Sequence, residues 1–135
     1  LEQIIRNITA GYTQDIEIEI ISMDTNGITG HIDHIAVSRA AHQVFYRLKA
    51  ARMPMSKLRL MCITRSYTGD QPNTDFVFME PGRLESEIDE TIDNRQYLDK
   101  IHHIMCTHHT QRHDCENHIR KLCDQVAVDH FVVKT

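Results

Sequence analysis

Several common devices are missing from this chain. No apolar run approaches the roughly 18 residues of a membrane span, so no spanning helix is expected. The opening residues, Leu1-Glu2-Gln3-Ile4-Ile5-Arg6, have neither the basic flank nor the long apolar core of a signal peptide. There is no initiator Met, and the chain opens within a helical pattern, which suggests a processed or truncated product. Cys62, Cys106, Cys115 and Cys123 include no Cys-x-x-Cys pair and follow no paired metal spacing. They read as free thiols in a reducing cytosol, so a cytoplasmic location is expected. No Gly-x-Ser-x-Gly elbow, P-loop or Gly-x-Gly-x-x-Gly stretch occurs, which leaves serine-triad hydrolysis and nucleotide binding without support. The net charge is −4 and the basic residues form no long block, so duplex nucleic acid is not a favoured partner. No internal repeat, low-complexity tract or linker interrupts the chain.

What is present suits one domain. A chain of 135 residues buries about 68% of its unfolded surface. Leu1, Ile4, Ile5 and Ile8 are spaced as on a helix, with Gly11 as its stop. Ile16 to Ile21 alternates with Glu17 and Glu19 and predicts a strand with one apolar face. Met23 to Thr29 reads as a polar loop with an Asn26-Gly27 turn. A helix follows over Ile35 to Ala51, with Asp33 as a candidate cap and Val37, Ala41, Val44, Leu48 and Ala51 as its buried stripe. Leu58 to Ile63 predicts a second strand and Thr64 to Thr74 a loop. Asp75 to Met79 and Glu85 to Thr91 predict short strands. Helices are expected over Asn94 to His108 (Tyr97, Leu98, Ile101, Ile104 and Met105 on one face) and over Asp114 to Val126. In the second, Ile119, Leu122, Cys123 and Val126 point inward. His130 to Val133 predicts a terminal strand. This alternation fits an α/β sheet, whose ligand sites lie at the carboxyl ends of its strands.

The stretch Gly30-His31-Ile32-Asp33-His34 falls at such a place, between a strand and a helix. Neutral imidazole is the commonest protein metal ligand. A metal held there would lower the pKa of a bound water to about 7. Asp33 would orient one ring through its N–H. A polar loop with surface histidines and a capping Asp33 is the plainer alternative. Six of the ten histidines lie between His102 and His118. His109 and His113 stand four apart, as do Asp114 and His118, a spacing that chelates on one helix face. A solvated helix face, or a structural zinc site built from Cys106, His109, His113 and Cys115, are the other readings.

Gly30-His31-x-Asp33-His34-Ile35-Ala36-Val37-Ser38-Arg39-Ala40 resembles the second motif of the LmbE/PIG-L family of metal-dependent de-N-acetylases. Asp99-Lys100 with His108-x-Thr110-Gln111 resembles that family's late helix and its His-x-Thr-Gln segment. The two stand in the family's order, and the resemblance covers most of the chain. It implies one α/β domain over 1–135, with a Rossmann-like, largely parallel sheet flanked by helices and lacking its N-terminal portion. It implies removal of acetyl groups from N-acetyl sugars, such as N-acetylglucosamine, or sugar conjugates by metal-activated water. Zinc is the usual ion; another divalent metal fits the same pattern. By resemblance His34 is a metal ligand, His31 the imidazole that assists at the tetrahedral intermediate, and Asp33 a support to that arrangement.

Three departures qualify the resemblance. Ile32 replaces the usual proline, which leaves φ less fixed. The first strand carries glutamates where the family is apolar. The family's first motif, Ala-His-Pro-Asp-Asp-Glu, with two further metal ligands and the general base, is absent. Either the chain is the C-terminal half of a larger protein or its lineage has lost the other half. The expected partners are therefore a small N-acetyl sugar or conjugate and an N-terminal half, in the same domain or a companion chain. Homo-oligomerisation stays open. The alternative function is an inactive or degenerate domain that binds a sugar or protein partner without turnover.

Overall fold

The computed structural model describes residues 1–12, 16–74 and 78–135. The fold is α/β, a four-stranded mixed sheet with strand order β1-β2-β4-β3, flanked by helices. The described residues gather into two compact units: Leu1–Glu90 with Phe131–Thr135, and Thr91–His130. No helix among them is long and apolar enough to cross a membrane.

In the first unit, α1 (Glu2–Thr9) is followed by β1 (Ile18–Met23). A short helical segment, α2 (Gly27–Gly30), leads into the long α3 (Ile32–Ala50). The chain returns in β2 (Met55–Cys62), parallel to β1. This is a βαβ unit, in which a helix covers the sheet between two parallel strands. Of the largely parallel sheet that was expected, β1 and β2 are parallel, while the sheet as a whole is mixed. One face is apolar: Ile20, Leu58, Leu60 and Cys62 cluster with Ala41, Phe45 and Leu48 of α3 and with Val132 of β4 (Val128–Lys134). The other face is ionic. Arg59 lies 2.9 Å from Glu19 and 2.7 Å from Glu90, and Lys57 lies 2.7 Å from Glu90. Glu19 of the first strand is thus matched by Arg59 on its neighbour.

Several boundaries differ from the sequence reading. α3 begins at Ile32 rather than Ile35, because His31 is its extended N-cap residue. Asp33 is therefore not the cap; it lies in the first turn, where a carboxylate favours the helix dipole. The buried positions of α3 are Ser38, Ala41, Phe45 and Leu48. Val44 packs only at the margin of the core, and Val37 is 57% exposed. Phe45 is 0% exposed; its ring carries more apolar area than Val44, so the helix turns to centre it. Ala51 follows the helix as an exposed C-cap rather than ending its stripe.

The stretch expected as a loop contains α4 (Arg65–Thr68). Of the strand expected over 75–79, residues 75–77 lie outside the described ones, and Met79 forms an antiparallel bridge to Asn73. A 3-10 turn, Glu85–Glu87, takes the start of the strand expected at Glu85. The Glu87 carboxylate accepts from the Leu84 N–H at 2.8 Å and folds the chain back, so β3 runs over Glu90–Asp93.

In the second unit, a 3-10 turn (Arg95–Tyr97) precedes α5 (Leu98–Cys106), and α6 (Arg112–Leu122) runs into a 3-10 turn (Cys123–Ala127). Neither helix has a fully buried residue. Tyr97, Ile104 and Cys123, expected to face inward, are exposed, Ile104 by 61%. Nine and eleven residues make short helices with narrow apolar stripes, which explains the small area they cover.

Candidate functional site

The site is built on the carboxyl ends of β1 and β2. These strands are parallel, so both chains leave the sheet on the same edge. Asp24 directly follows β1 and is 1% exposed. Its N–H donates to Met61 of β2 at 2.9 Å, continuing the ladder. Arg83 is fastened at the end of β2: its N–H donates to Ile63 at 2.8 Å and its carbonyl accepts from Arg65 at 2.7 Å. Gly82 permits that approach, since a Cβ there would stand 2.5 Å from the Thr64 carbonyl oxygen.

Asp24 and Arg83 then meet as a fork. Arg83 Nε donates to Asp24 Oδ2 at 2.6 Å, and Arg83 Nη2 to Oδ1 at 2.8 Å. The Thr25 N–H donates to the same carboxylate at 2.6 Å. Burial works to raise the Asp24 carboxyl. The bonds from Arg83 and Thr25, with the Arg83 charge, outweigh it and hold the group below its ordinary value. The bond to Asp24 likewise pushes Arg83 upward.

The backbone of Asp24 sets the next turn. Its carbonyl accepts from the Gly27 N–H at 2.8 Å. The Asn26 side chain accepts from the Ile28 N–H at 2.9 Å. Gly27 has φ +72, and a Cβ there would lie 2.9 Å from Ile35 Cγ1 and 3.0 Å from His34 Cβ. Ile28 sits at φ 64, ψ −58, the strained γ-turn geometry rare for a β-branched residue. This turn presents the Gly27 carbonyl to α3, where His34 Nδ1 donates to it at 3.1 Å. A carbonyl only accepts, so Nδ1 carries a proton, and in the neutral ring Nε2 then keeps its lone pair. That is the disposition of a metal-binding imidazole whose other nitrogen is held by the protein.

His31 and His34 are brought together, their ring centroids 5.4 Å apart and their planes inclined by 56°. Asp33 is exposed, and Gly27 rather than Asp33 takes the His34 N–H. A cleft of about 290 Å³ is lined by Thr25, Asn26, Gly30, Ile35, Arg39, Phe78 and Glu80, sequence neighbours of the pair included, while neither His31 nor His34 is among these lining residues. Gly30 brings the two walls together: its φ is +78, and a Cβ would clash at 1.9 Å with the Phe78 carbonyl oxygen.

The donor set fits one position of a metal's coordination sphere, that of His34. Among the described residues no three His, Cys, Asp or Glu side chains form a group able to hold an ion. This includes Cys106, His109, His113 and Cys115. His109 lies in a 3-10 turn (His109–Gln111) ahead of α6, so it and His113 do not occupy successive turns of one helix. His113 Nε2 meets Asn117 Nδ2 at 3.2 Å, and His118 Nδ1 donates to Asp114 O at 3.2 Å.

Sequence reasoning missed Asp24, which lay in the stretch read only as a polar loop, and Arg83, which fell between two expected short strands. Their one local signal was a carboxylate immediately after a strand. No family model matches the chain, and neither the curated proteins nor the solved structures offer a match.

Proposed function

We propose that this chain is the C-terminal part of a metal-dependent amide hydrolase of the LmbE/PIG-L type, acting on N-acetyl sugars or their conjugates. In this reading the Rossmann-like domain is completed by an N-terminal portion, in the same protein or a companion chain, that carries the remaining ligands and the general base. The observation that carries the proposal is the His34 ring, its Nδ1 bonded to the Gly27 carbonyl and its Nε2 lone pair left for an ion. A zinc ion, when bound, supplies Lewis-acid activation of water and of an amide carbonyl.

The chain's own residues do the rest. His34 would hold the ion through Nε2. His31, 5.4 Å away between ring centroids, stabilises the reacting oxygen and gives a proton to the departing amine. Asp33 adds negative charge beside the two rings. The cleft suits a hydroxylated ring: Thr25, Asn26, Arg39 and Glu80 offer hydrogen bonds, and Phe78 an apolar edge. Its volume is at the small end for ligand sites. Four cysteines outside any disulfide fit a reducing, cytoplasmic setting.

The test is acetate release from N-acetylglucosamine in the presence of zinc. The chain alone is expected to release none, because catalytic zinc usually takes three protein ligands. A general base contributes about 10²–10⁴-fold, and none is assigned within these residues. Adding a polypeptide that carries the Ala-His-Pro-Asp-Asp-Glu motif should produce turnover, lost again in His34→Ala. If the complemented protein binds zinc through His34 and releases no acetate, the non-enzymatic binding domain becomes the reading. Failure of His34→Ala to alter zinc binding would overturn both.

A further inference from the structure

A continuous set of bonds joins Arg83 to His34, and nothing in the proposed reaction requires it. Arg83 holds both oxygens of the buried Asp24 carboxylate. Asp24 holds the Gly27 N–H through its own carbonyl. Gly27 holds His34 Nδ1 through its carbonyl. The two ends are 49 residues apart in sequence, and every link between them is a bond of 2.6–3.1 Å. The geometry points to Asp24 and Arg83 as positioning residues that select the tautomer and orientation of His34. This rests on the reading of His34 as a metal ligand only for its consequence; the tautomer itself is a property of the chain.

The physical argument concerns which donor the ring presents. A neutral imidazole carries its proton on one nitrogen or the other, and the hydrogen bond made by one decides the character of the other. If the Gly27 carbonyl turns away, no acceptor holds the proton at Nδ1. The Gly27 carbonyl has no helix of its own to fix it, since α2 has four residues and is broken at Ile28. The Asp24 turn is what directs it. The turn in turn depends on an Asp24 side chain that is buried and cannot exchange Arg83 for water. Arg83 supplies two parallel donors to one carboxylate, an arrangement that fixes angle as well as distance.

Histidine ring nitrogens labelled with ¹⁵N report the tautomer directly at about pH 8, where an ordinary imidazole is neutral. In the unaltered chain His34 is expected as the Nδ1–H form. In Arg83→Ala the His34 signals should move toward the Nε2–H form, while His42 and His118, which donate to carbonyls of their own helices, stay unchanged. Arg83→Lys should restore the shift in part, because it keeps the charge and loses the fork. In the protein complemented with the remaining ligands, zinc affinity, titrated with the metal alone, should weaken by about 10-fold or more in Arg83→Ala. If Arg83→Ala does not fold, Asp24→Asn takes its place; it keeps the side-chain shape and loses the charge.

The outcomes separate the two claims. A folded variant with an unmoved His34 tautomer overturns the positioning role, whatever zinc does. A tautomer that moves in a chain whose His34 binds no zinc, alone or complemented, upholds the positioning role and removes the hydrolase reading. A loss of zinc binding with the tautomer unchanged also counts against positioning, since Arg83 would then act by some other route.

Discussion

His34 and His118 make the same kind of hydrogen bond, Nδ1 to a backbone carbonyl, and they differ in whose carbonyl it is. His118 reaches back four residues to Asp114, within α6. His34 reaches outside its helix to Gly27, on a turn whose buried Asp24, directly after β1, is held by Arg83. The first bond is available to almost any histidine on a helix and follows the helix wherever it goes. The second exists only if the βαβ unit is assembled. The surrounding units differ in the same way. The first has a cluster of fully buried side chains around Phe45, Leu48, Leu58 and Leu60, whereas in Thr91–His130 only Ala127 is fully buried. A histidine becomes a candidate ligand here by anchorage, and the density of histidines is a poor guide to it.

The largest expected effects test that difference in cores. Phe45→Ala removes a ring that is wholly buried among β1, β2 and α3, and should cost about 3–5 kcal/mol in urea unfolding. Ile104→Ala, on the exposed side of α5, should change stability by less than about 0.5 kcal/mol. Comparable losses from the two would mean that α5 is buried by something in solution and that the contrast between the units is false.

Next in size is Gly30→Ala. The positive φ costs about 1–2 kcal/mol for a side chain, and the Cβ would meet the Phe78 carbonyl oxygen at 1.9 Å. Overpacking adds about 1–3 kcal/mol, so a total loss of about 2–5 kcal/mol is expected, with the cleft walls forced apart. Unchanged stability would show that the 27–30 turn does not touch the 78–80 segment.

Asp24→Asn should cost about 1.5–3 kcal/mol at pH 7, the range for a hydrogen bond to a charged group. The pH dependence has a definite sign. The folded carboxyl titrates lower than the unfolded one, because Arg83 and Thr25 outweigh the burial that would raise it. The stabilisation is therefore complete above the ordinary Asp range, about pH 4, and is lost as pH falls through the depressed folded value. The gap between the unaltered chain and Asp24→Asn should narrow as urea midpoints are taken from neutral pH into acid. A gap that stays constant would mean that the Asp24 charge contributes nothing to folding.

What could be read from the sequence follows the range of the interactions. The strand before the histidine loop, the helix after it and the second strand rest on local periodicity, and all three were legible within a few residues. The place of His31 and His34 beyond a strand end followed from that order. The Asp24–Arg83 fork was not legible, because its members stand 59 positions apart and either alone looks like a surface charge. The buried face of α3 was misjudged by one position for a related reason. Spacing allows both 37/41/44/48 and 38/41/45/48, and only the sheet beneath decides in favour of Phe45. In the second unit the apolar stripes of α5 and α6 were visible, but a stripe does not reveal whether it finds a surface to cover.

The smallest expected effect belongs to His118→Gln. The side chain is exposed, and its one recorded bond is to the carbonyl one turn earlier in its own helix. Gln keeps a polar, helix-compatible side chain and needs no partner, so neither burial nor a cross-chain contact is lost. Stability should stay within about 0.5 kcal/mol of the unaltered chain, and zinc titration of the complemented protein should give the same affinity. The matching substitution, His34→Gln, should leave a similar helix but remove zinc binding. A drop in zinc affinity on changing His118 would show that α6 contributes a ligand and that a bond within one helix is no sign of an unanchored histidine. A loss of more than about 1 kcal/mol without any effect on zinc would instead show that α6 is covered in solution, and would confine the contrast to the ligand role of His34.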